Sequence, residues 1–261
     1  MKITTVLSAI IASVSLSVFA PAATASAAPP DPTPGGPQRP YEPDVEGTEN
    51  VDSLSVTATR GAGRSVTIAF DRRSRAATGT VPAGARRFVF LFDPSVSFNP
   101  GAFPTCARTV IERQGVRACP EGSRVGGGLG QTADGLSQEV LAFNTKVGRL
   151  PGVLVVLPAS GVILEQTFER VSPPYGGDYR WALDEILPPT NVPPQERAGT
   201  TRFQLSFGAT RQHQGRTVGF AETRAEPGDP LNFGLWSEFV TGQVVLPAVR
   251  TPLVADTGRE G

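Results

Sequence analysis

Apolar residues recur at every second position over most of this chain, and that alternation constrains its fold more than any other feature. Leu54, Val56 and Ala58 alternate with polar neighbours, and Val66, Ile68 and Phe70 do so again after Gly61, Ala62 and Gly63. A period of two marks strands with one buried face, because successive side chains point to opposite sides of a sheet. Phe203, Leu205 and Phe207 repeat the pattern, as do Leu231, Phe233 and Leu235. The run at 88–92 (FVFLF) is continuously apolar, which reads as a central strand covered on both sides. Further strands are expected at 105–110, 116–119, 138–144, 153–157, 161–171, 178–186, 201–210, 216–224, 231–240 and 243–249. Pro151-Gly152, Ser160-Gly161, Pro173-Pro174, Pro188-Pro189 and Pro227-Gly228 punctuate them. No βαβ rhythm appears, and no helical period runs beyond a turn or two. The chain therefore reads as all-β, a single antiparallel β-sandwich of about ten strands.

The N-terminus reads differently. Lys2 supplies a positive start, 3–20 is apolar apart from small hydroxyl residues, and Pro21 ends any helix there. Ala25-Ser26-Ala27 then matches an A-x-A peptidase site, so 1–27 reads as a signal peptide. An uncleaved anchor is the competing reading. It needs roughly 20 mostly apolar residues, and Thr4, Thr5, Ser8, Ser13, Ser15 and Ser17 dilute the run. Residues 28–50 carry prolines at 29, 30, 32, 34, 37, 40 and 43 with little apolar between them. Such a segment reads as an extended, disordered tether. That leaves 51–250 for the β-sandwich domain and 251–261 for a flexible tail.

Export places the two cysteines, Cys106 and Cys119, in an oxidising compartment where they should pair. A hairpin turning near Gln114 and Gly115 would set them opposite each other, and closing so short a loop contributes about 3 kcal/mol. Acidic and basic residues balance at 24 each. A near-neutral chain has no electrostatic reason to seek nucleic acid. No stretch after the leader is apolar enough to span a bilayer as a helix.

Cys119 and Pro120 are followed by Ser123, Val125, Gly126 and Gly128. Pro120 turns the chain out of the disulfide, and the Ser123 hydroxyl can cap that turn. Gly126, Gly127 and Gly128 inside a strand imply a bulge or a close backbone approach. This Cys-Pro-x-x-Ser-x-Val-Gly-x-Gly run resembles the signature of uncharacterised secreted actinobacterial proteins. Val140 to Asn144 and Leu235-Trp236 resemble later strands of the same family. The resemblance implies a secreted all-β domain and brings no assigned activity with it.

No catalytic constellation stands out. His213, the single histidine, lies in a polar run that reads as a hairpin turn. No G-x-S-x-G, zinc set, calcium loop or phosphate-binding glycine motif is present, so no metal or cofactor is expected. Glu165 and Glu169 share strand parity but would lie roughly 13 Å apart, too far for a glycosidase pair. Asp178, Asp184 and Glu185 are near Tyr175, Tyr179 and Trp181. Acids beside rings can form a sugar site, but the favoured reading is that these rings join the core or its rim. Trp236 has opposite parity from Leu231, Phe233 and Leu235, which puts it on the other face and makes it a recognition candidate if exposed.

The expectation is a secreted or cell-wall-associated, non-enzymatic surface module. Its partners would be a cell-wall glycan or an envelope protein, with Tyr175, Tyr179, Trp181 and Trp236 as the ligand-binding residues. An extracellular carbohydrate-active hydrolase using Asp178 and Glu185 is the alternative. Expressed with its leader in a secreting host, the protein should appear in the medium with Ala28 as its first residue. Intact-mass measurement and N-terminal sequencing check this, and recovery of Met1 on a membrane-bound product would refute it.

Overall fold

A computed structural model describes residues 27–79, 81–186 and 192–256. The leader reading therefore lies outside the described residues, apart from Ala27. The elements in chain order are β1 (Asn50–Arg60), β2 (Val66–Ala76), β3 (Ala85–Phe92), β4 (Val96–Phe98), α1 (Arg108–Gln114), β5 (Arg124–Gln131), β6 (Ser137–Val147), β7 (Leu150–Leu157) and β8 (Val162–Arg170). They continue with β9 (Trp181–Ile186), β10 (Arg202–Phe207), β11 (Thr210–His213), β12 (Arg216–Gly219), β13 (Ala221–Thr223), β14 (Pro230–Phe239), β15 (Val244–Val245) and β16 (Ala248–Ala255).

The chain is all-β, but it is not a sandwich. Eleven strands form a closed mixed barrel in the order β1-β2-β10-β5-β6-β7-β8-β9-β3-β14-β16. The ring closes where β16 returns to β1 in parallel, with Ala58 opposite Leu253. Alternation along a strand reports that one face is buried. It carries no information on whether the two edges of the sheet meet, so an open sandwich and a closed barrel read alike. The same closure corrects the tail. Residues 251–255 belong to β16, hydrogen-bonded between β14 and β1.

Inward positions are apolar and filled by rings. Phe70 meets Phe90, Phe92 and Phe233 edge-on at centroid distances of 5.1, 5.4 and 5.7 Å. Such pairs contribute about 0.5–1.5 kcal/mol beyond the area they bury. The outward faces of β1 and β2 carry Ser53, Ser55, Thr57, Asp71 and Arg73. On these two strands the apolar residues face in and the polar ones face out. Among the described residues no helix is long and apolar enough to cross a membrane.

One mouth is plugged by the segment between β3 and β5. Phe98 and Phe103 pack with Phe220 at 5.9 and 5.5 Å, and all three join the barrel core. Asn144 Nδ2 donates to the carbonyls of Pro100, Phe103 and Pro104, pinning the plug to β6. The Cys106–Cys119 disulfide is formed. The loop it closes is α1 rather than the expected hairpin. Arg108 reaches Glu112 one turn on, Ile111 faces Leu141, Phe143 and Leu154 on the outer wall, and Gly115 ends the helix at a φ of 79°. A helix satisfies this segment's backbone locally where no strand edge lies beside it.

β5 carries a bulge between Arg124 and Gly126. It lies between β6 and β10, and a Cβ on Gly126 or Gly128 would run into the carbonyl oxygens of Ser206 and Gln204 respectively. Ser123 is buried, and its hydroxyl donates to Pro120 O at 2.6 Å. Gly128→Ala should lower the unfolding free energy by about 2–3 kcal/mol, the usual cost of forcing atoms into closed packing. Urea denaturation of the two proteins checks this.

Candidate functional site

Strand parity divides the sequence-expected site residues between the two faces of the barrel wall. On β9, Leu183 joins the inner core and Ala182 packs outside. Asp184 therefore points out and Glu185 points in. Asp178 is exposed on the loop before β9. The expected acid pair, Asp178 and Glu185, thus looks onto opposite sides of the wall and shares no cleft. Trp181 packs against the inner core, with the Arg170 guanidinium 3.8 Å from its ring centroid.

Tyr175, Tyr179 and Trp236 do come together, on the outer face with Val89 and Leu91. They are buried, Trp236 to 3% exposure, so the expected exposed glycan platform is corrected. The Pro-rich segment covers Tyr175 and Trp236. Residues 28–50 do not stand away from the domain; they are laid along the barrel as a strap. Tyr175 Oη donates to Pro30 O at 2.6 Å and Trp236 Nε1 to Pro29 O at 3.1 Å. Ser172 donates its N–H to Pro32 O at 2.7 Å and its hydroxyl to Asp31 O at 3.2 Å. Proline-rich chain buries little of itself, but here its carbonyls find donors. Burial pushes the Tyr179 phenol up to about 12, with Asp178 adding to the shift. Burial also raises Tyr175, followed by Asp31. The Tyr175 hydroxyl keeps the proton it donates to Pro30 O.

Below the rings lies a buried ion cluster. Arg87 donates to Asp184 through Nε at 2.9 Å and Nη2 at 2.7 Å, and to Asp31 at 2.7 Å. Thr33 Oγ1 donates to Asp184 at 2.9 Å, and Arg39 bonds the same carboxylate. Burial opposes the Arg87 charge, and the two carboxylates more than offset it, so its pKa is raised. The guanidinium also lies 5.1 Å from the Trp236 ring centroid. Two arginines and two aspartates balance, so each charge leaves water in company. Farther along, Arg86 holds Glu42 and Asp44, and Val45 N donates to Val240 O at 3.0 Å.

Inside the barrel, toward the mouth opposite the plug, a second polar set replaces the phenylalanines. Arg72 holds Asp52 bidentately, Nε to Oδ2 at 2.6 Å and Nη2 to Oδ1 at 3.1 Å. Its guanidinium sits 4.9 Å from the Phe88 ring centroid. Glu185 is 1% exposed and accepts from Gln166 Nε2 at 3.1 Å, while its Oε1 and the Gln166 Oε1 have no hydrogen-bond partner among the described residues. Burial raises the Glu185 carboxyl to about 7, with Asp184 adding to the shift and Gln166, Arg39 and Arg72 opposing it.

The mouth itself opens into a cavity of about 780 Å³. Val81, Ala133, Leu136, Ala159 and Ala198 supply its apolar lining, and Thr132, Asp134, Ser137, Gln138 and Ser160 supply polar groups. Leu136 is 69% exposed and Val81 50%. These residues sit on the β5–β6 and β7–β8 turns and on two loops facing them. Sequence reasoning missed them because an alanine or leucine in a turn carries no motif. Among the described residues, no three His, Cys, Asp or Glu side chains are grouped to hold a metal ion. His213 lies on β11, paired with Arg216 across the Gln214-Gly215 turn. No family model matches the chain, and no curated protein matches it.

Glu185 gives a pH prediction. A carboxyl with a raised folded pKa holds its proton more tightly in the folded chain than in the unfolded one. Its stabilising contribution is fully present below the ordinary value of 4.5 and is lost as pH rises through about 7. Glu185→Gln removes that titration. Relative to wild type, the variant should gain on the order of 3 kcal/mol between pH 4 and pH 8. Thermal melts across that range check the difference.

Proposed function

We propose that the protein is a non-enzymatic barrel module of the extracellular or envelope space that binds a small amphipathic ligand in the mouth opposite the plug. The observation that carries this reading is the cavity of about 780 Å³ between the hairpin tips, where Leu136 and Val81 stay exposed. Small-molecule sites are concave and mostly apolar, with a few polar groups to orient the ligand. Leu136 and Val81 supply the first quality, and Asp134 and Gln138 the second. Mouths of closed barrels are a recurrent place for such sites. The A-x-A site at Ala25 to Ala27, the resemblance of the Cys119 to Gly128 run to secreted proteins, and the formed disulfide support a location outside the cytoplasm.

The amphipathic dye 1-anilinonaphthalene-8-sulfonate tests the reading on the mature chain. One dye should bind per protein, with enhanced fluorescence. Leu136→Asp should weaken it about tenfold, the effect of removing one buried leucine contact. Absence of binding, or binding indifferent to that substitution, would sink the proposal.

A further inference from the structure

The strap and the aromatic wall form a ligand and its receptor within one chain. Four successive carbonyls, of Pro29, Pro30, Asp31 and Pro32, accept hydrogen bonds from Trp236, Tyr175 and Ser172. Recognition through main-chain carbonyls by ring-borne donors is how aromatic grooves hold polyproline segments, whose extended shape costs little entropy to fix. Side-chain selectivity is added at one end, where Asp31 and Thr33 bond Arg87 and Asp184. Pro32 and Thr33 are the buried residues of the strap, while Ala27 and Ala28 ahead of them are exposed. The segment docks as a short linear motif.

We propose that the groove formed by Tyr175, Tyr179, Trp236, Ser172, Arg87 and Asp184 is a polyproline-binding site that exchanges its own strap for residues 29–33 of a second copy of this chain. The second copy is the occupant because it carries a segment of matching chemistry at equal concentration to the groove. The connection is long enough. Residues 34–49 run from the docked motif to β1 and would span up to about 50 Å once Arg39, Glu42, Asp44 and Val45 have left their partners on the barrel. Gly35 has open space around it, which suits a hinge. Within residues 29–33 an exchanged strap makes the bonds the resident one makes, and swapping of such an element is a low-cost route to dimers. The resident strap competes at an effective concentration of millimolar order, so the intact chain is chiefly self-filled.

Two variants separate ligand from receptor. D31A/P32G/T33A spoils the strap and leaves the groove intact. Y175F/W236F keeps ring bulk and removes two donors from the groove, leaving the strap intact. Each alone should be monomeric by native mass spectrometry. Mixed, they should form a one-to-one heterodimer, bound roughly 30-fold more tightly than either self-pair, as two hydrogen bonds imply. Two folded variants, each with its disulfide and a cooperative melt, that stay monomeric on mixing would overturn the proposal. If either variant fails to fold, the wild-type chain decides. A benzophenone-tagged synthetic peptide of residues 28–40, at about 1 mM to match the resident strap, should cross-link to residues 172–179 or to Trp236. No cross-link there, or labelling elsewhere, would equally overturn it.

Discussion

The parallel pairing of β1 with β16 is the contact on which the rest of the structure depends. Without it the sheet has two free edges, and the phenylalanines of β2, β3, β10 and β14 would lie on an open face. With it those rings meet across a closed interior, where Phe70 touches three others edge-on. Closure also places β3, an early strand, between β9 and β14. That insertion brings Arg87 beside Asp184 and Trp236 beside both. The outer cluster is thus a consequence of how the ring closes.

A wall whose inner face is occupied by the core still has an outer face, and on β3, β9 and β14 that face is apolar and charged. Val89, Leu91 and Trp236 cannot be left to water together, and Arg87 with Asp184 makes a strong pair only when it is shielded. The strap covers both. Its rigidity limits the entropy lost on docking, and its carbonyls satisfy Tyr175 and Trp236, whose polar atoms would otherwise be buried unpaired. The continuous apolar run at 88–92 is explained in the same way. Phe88, Phe90 and Phe92 face the core, while Val89 and Leu91 face the layer under the strap. At the plugged mouth the disulfide does related work. It holds α1 over Leu141, Phe143, Leu154 and Val156, outward residues of the central strands that need a cover.

Much of the strand pattern was legible. The alternation at Leu231, Phe233 and Leu235 puts Trp236 on the opposite face, and it is there. The spacing of Cys106 and Cys119 pointed to their bond. The glycine run pointed to a bulge or a close approach, and Gly126 and Gly128 press on the backbone of β10. Three of the four rings named from their neighbourhood do gather. Their exposure was not legible, because periodicity states which face a ring occupies and is silent on what lies over that face. The same silence made residues 28–50 read as a free tether. Proline content shows that a segment cannot form its own core, and it cannot show that another part of the chain offers a groove. The mouth cavity was out of reach for a different reason: hairpin tips from distant strands become neighbours only once the barrel closes.

The sequence by itself determined the all-β class, the position and face of most strands, and the disulfide. These are local properties, read from periods of two residues and the short distance between two cysteines. Tertiary structure alone decided that the sheet closes and that the helix α1 replaces a hairpin. It also set Asp184 and Glu185, adjacent in sequence, in two unrelated buried environments. Each of those outcomes rests on contacts between segments far apart in the chain. Their free energies depend on which surfaces meet, and no stretch of residues carries that information alone.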